Sequence, residues 1–265
     1  MSNPVFFTAA GTLDQQVPGS TFVLGGAEAR HAVTVRRLAV GEAVDIADGA
    51  GKRLTGTVTA AAPGELTVEC TDISAEPRPG IRLVLVQALA KGDRDELGAE
   101  TATELGIDAV IPWQAERSIV RWKAERAAKA HAKWQSVVTA AAKQARRAWI
   151  PEVRAAVDGN GLQAAVAAAD LAVILHEDAV RPLRQVLEAW AGGPATDGTA
   201  SDGGPRQTSR EVLLIVGPEG GISPREVTRL CDAGAVTALL GHHVLRSSTA
   251  GPAATVLASD ILGRW

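Results

Sequence analysis

Two hydrophobic patterns divide the chain. Between residues 22 and 73, apolar and polar positions alternate in short runs, at 44–46, 54–58 and 66–70. Alternation with a period of two is typical of strands that bury one face. After a proline-rich linker the apolar residues form continuous runs, the first at 81–88. The pattern predicts a small β domain followed by a larger α/β domain.

Turn sequences and a short helix complete the predicted β domain. Asp48-Gly49-Ala50-Gly51 and Pro63-Gly64 favour turns between strands. Residues 28–38 favour a short helix that carries the cationic group Arg30, His31, Arg36 and Arg37. The linker at 76–80 contains two prolines and a glycine. We therefore predict two domains, 1–76 and 77–265.

The second domain alternates between apolar runs and helical stretches. The runs predicted as buried strands are 81–88, 109–113, 171–175, 212–216 and 235–240. The stretches predicted as helices are 93–105, 124–148, 182–190, 224–233 and 250–262. This alternation predicts an α/β fold with a parallel sheet. The polar, glycine-rich sequence at 191–210 predicts a flexible insertion.

The composition narrows the class of protein. Of 265 residues, 46% are hydrophobic and 22% are charged, as in globular proteins. The chain starts without a signal-peptide pattern, and no apolar stretch reaches the roughly 18 residues of a membrane-spanning helix. We therefore expect a cytoplasmic protein with no membrane partner. Cys70 and Cys231 lie far apart, which predicts neither a metal site nor a disulfide.

Positive charge is concentrated in one stretch although the net charge is −3. Residues 117–154 contain ten Lys and Arg against two acidic residues. Such an excess is typical of a surface that binds phosphate groups. Trp122, Trp134 and Trp149 lie in the same stretch. Their rings could stack on unpaired bases, and core packing is the alternative, which we expect for at least two of the three.

The sequence at 216–226 predicts a ligand-binding loop. The apolar strand ends at Val216, a loop with three glycines follows, and Ser223, Pro224 and Glu226 form a helix-capping pattern. Ligands of α/β sheets bind at the carboxyl ends of strands. A tight turn without a ligand is the alternative reading. The glycine patterns of P-loop and dinucleotide-binding enzymes do not occur in this chain.

A second loop, at 240–250, also follows a strand. Its histidines, His242 and His243, are adjacent and lack a nearby carboxylate, so we interpret them as loop residues without a metal. Arg246 lies between apolar residues, where a planar cation commonly serves a phosphate, carboxylate or carbonyl oxygen.

These two loops carry a family resemblance. The strings Gly217-Pro218-Glu219-Gly220-Gly221, Leu240-Gly241 and Val244-Leu245-Arg246 resemble the signature of the small-subunit ribosomal RNA uridine-N3 methyltransferases, of the SPOUT class. Further matches in the family's order are Arg30-His31, Val35-Arg36-Arg37, Lys91-Gly92-Asp93-Arg94, Glu104-Leu105-Gly106-Ile107, Pro112, Glu116-Arg117-Ser118, Gln144-Ala145-Arg146 and Pro151. The resemblance covers the whole chain.

The resemblance implies a fold and a chemistry. It implies a SPOUT methyltransferase domain with a deep trefoil knot, a PUA-like β-barrel at the N-terminus that binds RNA, and a homodimer. It also implies S-adenosylmethionine (SAM) as the methyl donor and 16S ribosomal RNA in the small subunit as the partner, with no metal. Arg246 is our first catalytic candidate and Arg117 our second.

The resemblance also implies which residues bind. Those expected at the cofactor are Leu175, His176, Glu177, Ile215, Val216, Gly217, Pro218, Glu219, Gly220, Leu240, Gly241, His243, Val244, Leu245, Arg246, Ser248, Thr249 and Ala250. Those expected at RNA are Arg30, His31, Arg36, Arg37, Arg94, Lys143, Arg146 and Arg147.

Two departures keep alternatives open. The family commonly has Thr-Glu after Leu-Arg, where this chain has Ser247-Ser248, so an acidic general base at that position is in doubt. The family also has Glu-Gln-Ser where this chain has Lys143-Gln144-Ala145. A non-catalytic RNA-binding assembly factor, and a SPOUT enzyme that acts on another RNA, are the competing hypotheses.

Overall fold

The chain folds into two compact units, seen in a computed structural model that describes residues 3–193 and 209–265. The first comprises the residues up to Arg78 together with Ala142–Ile150, and the second comprises Pro79–Ala141 together with Pro151–Trp265. Most of the insertion expected at 191–210 lies outside the described residues.

The first unit is built on a five-stranded sheet. Its strands are β1 (Val5–Phe7), β2 (Thr21–Gly25), β3 (Ala43–Ala47), β4 (Lys52–Ala62) and β5 (Glu65–Ala75), in the order β1-β3-β4-β5-β2. β1 and β3 are parallel and the other pairs are antiparallel. The alternating apolar residues meet in one core around Phe6, Ile46 and Leu54. The predicted short helix is a turn of α-helix, α1 (Gly26–Arg30), continued by a π-helical turn, His31–Val35.

The segment Ala142–Ile150 packs on a hairpin turn of the first unit. The N–H of Gly51 donates to the carbonyl of Ala148 at 3.2 Å, and the N–H of Ile150 donates to the carbonyl of Gly49 at 3.1 Å. Gly51 has a φ of +101°, and a Cβ there would lie 2.5 Å from the ring of Trp149. Glycine is therefore required at this turn both by the backbone and by the tryptophan.

The second unit is an α/β layer structure around a six-stranded sheet. The strands are β6 (Ile81–Ala88), β7 (Ala109–Trp113), β8 (Glu152–Val153), β9 (Leu171–Leu175), β10 (Arg210–Val216) and β11 (Val236–Ala238). Their order is β11-β9-β10-β6-β7-β8, and every pair is parallel. Central strands β6, β9 and β10 are buried along most of their length, as their continuous apolar runs predict.

Within residues 79–193 and 209–265, six helices connect and cover these strands. They are α2 (Arg94–Glu104), α3 (Ala124–Gln144), α4 (Gly159–Ala168), α5 (Leu183–Ala191), α6 (Pro224–Asp232) and α7 (Ser247–Ile261). The C-terminal helix α7 packs against α2, α5, β6 and β10. Within it, Gly251 lies over Leu85, since a Cβ there would be 2.8 Å from a methyl carbon of that leucine.

Several predicted element bounds differ from those observed. The helix predicted to reach 148 ends at Gln144, because Arg146 has a left-handed backbone that stops the helix. The last predicted strand ends at Ala238, and α7 begins at Ser247, three residues earlier than predicted. The sequence pattern missed β1, β8 and α4, which are short or rich in alanine and glycine.

Candidate functional site

The loops singled out in the sequence leave one edge of the parallel sheet. β9 ends at Leu175, β10 at Val216 and β11 at Ala238, and β9 pairs with both other strands. The loops that follow, 176–182, 217–223 and 239–246, therefore begin side by side. This edge is where open α/β sheets bind their ligands.

The loop after β10 is fixed by a capping box. The Ser223 hydroxyl accepts from the N–H of Glu226 at 3.1 Å, and the Glu226 carboxylate accepts from the N–H of Ser223 at 3.2 Å. Pro224 occupies the first helical position, as predicted. These bonds satisfy backbone donors at the start of α6 and hold the loop end rigidly.

Neighbouring loops hold the same segment from two sides. Arg117, in the loop after β7, donates from Nη1 to the carbonyl of Gly220 at 3.1 Å. Glu219 accepts at Oε1 from the N–H of Lys91 and from Nη1 of Arg94, both at 3.3 Å. The loop at 217–223 is thus bonded to the loops after β6 and β7.

The glycines of this loop have different reasons to be glycine. A Cβ on Gly217 would lie 2.6 Å from Cγ1 of Ile222, and Gly221 has a φ of +72°. Both are therefore required by the loop itself. Gly220 has neither restriction, because a Cβ there would meet its nearest atom, in Arg117, at an ordinary 3.5 Å.

The loop after β11 is open by contrast. Residues 241–246 are all exposed, and Val244 is 78% exposed. The guanidinium of Arg246 has no hydrogen-bond partner among the described residues. Arg246 is also the N-cap of α7, whose start has no side-chain cap, while its carbonyl accepts from the N–H groups of Thr249 and Ala250 at 2.8 and 3.0 Å. The segment presents a cation, apolar side chains and a helix N-terminus together.

The loop after β9 joins this open segment. The N–H of His176 donates to the carbonyl of Ala238 at 3.0 Å, and the N–H of Leu183 donates to the carbonyl of Leu239 at 2.8 Å. His176 Nδ1 accepts from the N–H of Asp178 at 3.2 Å, and Glu177 is exposed. The structure therefore brings the predicted residues at 175–177 next to those at 239–246.

Buried polar residues that the sequence did not single out lie behind this edge. Gln87, near the end of β6, is fully buried, and its Oε1 has no partner among the described residues. A Cβ on Gly98 would lie 2.9 Å from that oxygen and 3.5 Å from Cα of Ser248. The only sequence signal was a polar residue interrupting an apolar run.

Asp95 supports the loop after β6. Its carboxylate accepts from the N–H of Ala90 at 3.1 Å and from its neighbour Glu96 at 3.0 Å. Burial raises the pKa of the Asp95 carboxyl, and these backbone bonds oppose that rise. Asp95 therefore orders the backbone of the loop after β6, from which the N–H of Lys91 donates to Glu219.

The described parts of the chain contain neither a metal-type cluster nor a spanning helix. No three His, Cys, Asp or Glu side chains in residues 3–193 and 209–265 are grouped as metal ligands. No helix in the same ranges is long and apolar enough to cross a membrane.

Two family models match the chain. Residues 76–259 match an RNA methyltransferase domain, and residues 24–69 match an RNA methyltransferase PUA domain. A ribosomal RNA small subunit methyltransferase E from Mycobacterium bovis is 37% identical over 93% of this chain and 89% of its own length. The chain belongs to the ribosomal RNA small subunit methyltransferase E family.

Solved structures of the methyltransferase E family and of a putative methyltransferase share the fold. A putative methyltransferase from Legionella pneumophila, determined with bound SAM, has a TM-score of 0.79 at 25% identity and covers 98% of both chains. A methyltransferase E from Neisseria gonorrhoeae, bound to SAM, has a TM-score of 0.76 at 25% identity and also covers 98% of both chains. The α/β methyltransferase fold with a parallel sheet and a PUA domain is confirmed.

The residues expected at RNA fall into three settings in this methyltransferase E family member. Arg30, Arg36 and Arg37 are exposed in the first unit. Lys143 is tied down, since its Nζ donates to Glu28 Oε2 at 2.7 Å and to His31 Nδ1 at 3.0 Å. Arg94 differs from both groups, because it belongs to the second unit and forms a salt bridge with Glu219.

The long cationic stretch is divided between the units. Arg146 and Arg147 belong to the first unit with Lys143, whereas Lys133 lies in the second and pairs with Glu96 at 2.8 Å. Arg154 also lies in the second unit and pairs with Glu211. The cations of this stretch therefore belong to two different units, and some of them are already paired with acidic residues.

The tryptophans of this stretch differ from the expectation. Trp134 is 2% exposed and packs edge to face on Trp122 at a ring distance of 5.8 Å. Trp122 and Trp149 are half-buried, so one of the three is buried where at least two were expected. Trp149 donates from Nε1 to the carbonyl of Glu76 and lies under the guanidinium of Arg78. The Trp149 ring therefore makes these contacts within the first unit.

Proposed function

We propose that this protein transfers a methyl group from SAM to N3 of a uridine in 16S ribosomal RNA of the small subunit, in the cytoplasm. Membership of the methyltransferase E family supports the use of SAM and of ribosomal RNA. The observation that carries the site is the exposed guanidinium of Arg246 at the sheet edge, beside a loop fixed by Arg117 and Glu226.

The residues at this edge fit an adenosyl group. Val244 and Leu245 offer exposed apolar surface, and Gly241 has open space where a Cβ would stand. Gly220 can face a ligand closely without being needed by the loop itself. The residues expected at the cofactor, which run from Leu175 to Ala250, would hold it through backbone groups of the three loops. When bound, SAM supplies an activated methyl group on a sulfonium.

The protein's task is to prepare the uridine. N3 carries a proton in an imide, and the negative charge left by its removal spreads to the flanking carbonyl oxygens. An arginine directed at these oxygens lowers the cost of that charge. Arg246, whose guanidinium has no hydrogen-bond partner in the described part of the chain, is suited to this role. Arg117, which already donates to the carbonyl of Gly220, is the second candidate. Because Ser248 replaces the family's glutamate, we assign the proton to solvent.

The RNA is held by the first unit in this proposal. Its exposed cations Arg30, Arg36, Arg37 and Arg146 suit phosphate groups, and His31 lies among them. Lys143 serves a structural role here, since it is already bonded to Glu28 and His31. Arg94 would act near the cofactor loop through Glu219.

We further propose that the first unit is a PUA-like β-barrel and that the second contains a deep trefoil knot. The strand order β11-β9-β10-β6 and the packing of α7 on β6 and β10 support a threaded C-terminus. A crystal structure in which the segment from β11 through α7 passes no loop would contradict the knot.

A homodimer is part of the proposal. Val256, Leu257 and Leu262 of the C-terminal helix region are partly exposed, and Val180 and Trp265 are strongly exposed. A second copy related by a two-fold axis would cover such apolar residues. Sedimentation at micromolar concentration should give a dimer, and a monomer would contradict this.

One experiment tests the proposed reaction. The protein is incubated with tritiated SAM and small ribosomal subunits from cells that lack the enzyme, and the label is mapped. We expect label at N3 of one uridine in 16S ribosomal RNA. Label in transfer RNA, on a ribose, or absent at saturating SAM would contradict the proposal.

A further inference from the structure

A buried carboxylate joins two loops of the candidate site. Glu226 is only 3% exposed. One of its oxygens, Oε2, accepts from the N–H of Ser223 at 3.2 Å, as a helix cap does. The other, Oε1, accepts from the N–H of Glu116 at 2.8 Å. The second bond connects residues 110 positions apart and serves no helix terminus.

A second pair of bonds closes this connection into a ring. The Ser223 hydroxyl accepts from the N–H of Glu226 at 3.1 Å and donates to Oε2 of Glu116 at 2.6 Å. Glu116 is thus held by its backbone and by its side chain. Because Glu226 is buried, water competes little for these bonds, and their loss would leave unsatisfied buried groups.

The ring lies directly beside a candidate catalytic residue. Arg117 follows Glu116 in the chain, and its guanidinium donates to the carbonyl of Gly220 at 3.1 Å. Ser223 lies three residues after Gly220 on the other loop. The backbone on both sides of the Arg117–Gly220 bond is therefore anchored by the same carboxylate.

We propose that Glu226 is a positioning residue, which fixes the loop after β7 so that Arg117 is held at the Gly220 edge of the cofactor loop. The proposal rests on the proposed function of Arg117. Glu226 touches neither reacting group in this account and acts through Glu116. Loss of alignment at a reacting centre lowers the turnover rate more than it lowers binding.

Glu226→Gln is the sharpest variant. The amide keeps the size of the side chain but has one acceptor oxygen, so it cannot accept from both Ser223 and Glu116. We expect kcat with saturating small subunits to fall about tenfold, while KM for SAM stays within about twofold. Hydrogen exchange at the N–H of Glu116 should become faster.

A double variant at Arg117 and Glu226 separates a positioning role from a general loss of structure. Arg117→Ala should lower kcat, and Glu226→Gln in that background should lower it no further, because the group to be positioned is gone. Ser223→Ala, which keeps the Glu226 bond to Glu116, should show a smaller loss with the same masking. It also provides the test if Glu226→Gln does not fold.

A second helix cap provides the matched control. Asp158 caps α4 by accepting from the N–H groups of Asn160 and Gly161 at 3.0 and 2.9 Å. Asp158→Ala should destabilise the same unit without changing kcat at a temperature where the protein is folded. A fall in kcat equal to that of Glu226→Gln would show that any lost cap has this effect, and would overturn the proposal.

The remaining outcomes are also decisive. Equal losses from Glu226→Gln with and without Arg117 would overturn positioning through Arg117. An unchanged kcat for Arg117→Ala would overturn it too, while the activity of the wild-type protein would still uphold methyl transfer. An inactive wild-type protein would instead contradict the proposed function itself.

Discussion

Two loops at the same sheet edge are built in opposite ways. The loop at 217–223 is bonded to both neighbouring loops through Glu219, Gly220 and Ser223. The loop at 239–246 is mostly exposed and its cation, Arg246, has no partner among the described residues. One loop is held in place by hydrogen bonds to its neighbours, and the other has few such bonds among the described residues. In the proposed site, ligand contacts would complete the second loop.

The strongest test of this difference is Arg246→Ala. Since the side chain is exposed and unpaired in the described structure, its loss should leave the fold intact. Methyl transfer should fall about 100-fold or more, as for other lost charge-stabilising groups at an active site. Steady-state rates with small subunits measure this, and thermal unfolding checks the fold. Wild-type turnover in this variant would remove Arg246 from catalysis.

Gly220→Val tests whether the loop at 217–223 contacts the cofactor. A Cβ at this position would meet its nearest atom, in Arg117, at an ordinary 3.5 Å, so the loop itself does not require glycine there. The added side chain would instead occupy space at the proposed cofactor site. We expect SAM affinity to fall about 30-fold, which corresponds to about 2 kcal/mol of overpacking. Calorimetric titration measures it. Gly217→Val is the comparison, because its clash with Ile222 should lower stability as well. Unchanged affinity for Gly220→Val would place the cofactor elsewhere.

Substitution of Glu211, at the opposite end of β10, should affect only the stability of the protein. Glu211 accepts from both terminal nitrogens of Arg154, at 2.8 and 2.6 Å, and these bonds lower the pKa of the Glu211 carboxyl below its ordinary 4.5. A carboxyl whose pKa is lower in the folded than in the unfolded protein stabilises the fold. This stabilisation is fully present at a pH above the pKa of the unfolded protein, and it is lost as the pH falls through the pKa of the folded protein.

Glu211→Gln should therefore lower the free energy of unfolding by about 1.5 kcal/mol at pH 7, with a smaller difference from wild type as the pH falls below about 4.5. Denaturant titrations over a pH series measure it. Glu188→Gln, in an exposed pair with Arg184, should change stability by less than about 0.5 kcal/mol. A pH-independent loss for Glu211→Gln would contradict the linkage.

Reversing the charge of cations that lie far from both loops in the sequence should change only the affinity for RNA. Arg146→Glu with Arg147→Glu should weaken binding to ribosomal RNA about tenfold and reduce its salt slope by about two. The matched control reverses Arg126 and Lys129, which are exposed on α3 in the second unit. Equal effects of the two double variants on RNA affinity would show that the whole cationic stretch acts as one surface. SAM affinity should be unchanged in both.

Local patterns were enough to predict most of the elements. The capping box of Ser223 and Glu226 and the apolar runs of β6 and β10 depend on neighbours in sequence, and each was predicted within a few residues. The left-handed backbone of Arg146, where glycine is usual, could not be read from residue type. It ended a helix that the alanine-rich pattern extended to 148.

Contacts between distant residues were not predictable in the same way. The bond from Lys143 to Glu28 spans 115 positions and draws Ala142–Ile150 into the first unit. The bond from Glu116 to Glu226 spans 110 positions, although each residue stood out in its own motif. The family resemblance supplied the cofactor and the RNA, because neither the glycine loop nor the cations specify a substrate.

Hydrogen–deuterium exchange with and without SAM tests the location of the site most directly. We expect saturating SAM to protect amides in the loops after β9, β10 and β11. Protection should be largest at 239–246, which is open, and smaller at 217–223, which is already bonded. Residues 28–38 of the first unit should exchange at the same rate in both states. Protection confined to any other part of the chain, or absent at saturating SAM, would contradict the account.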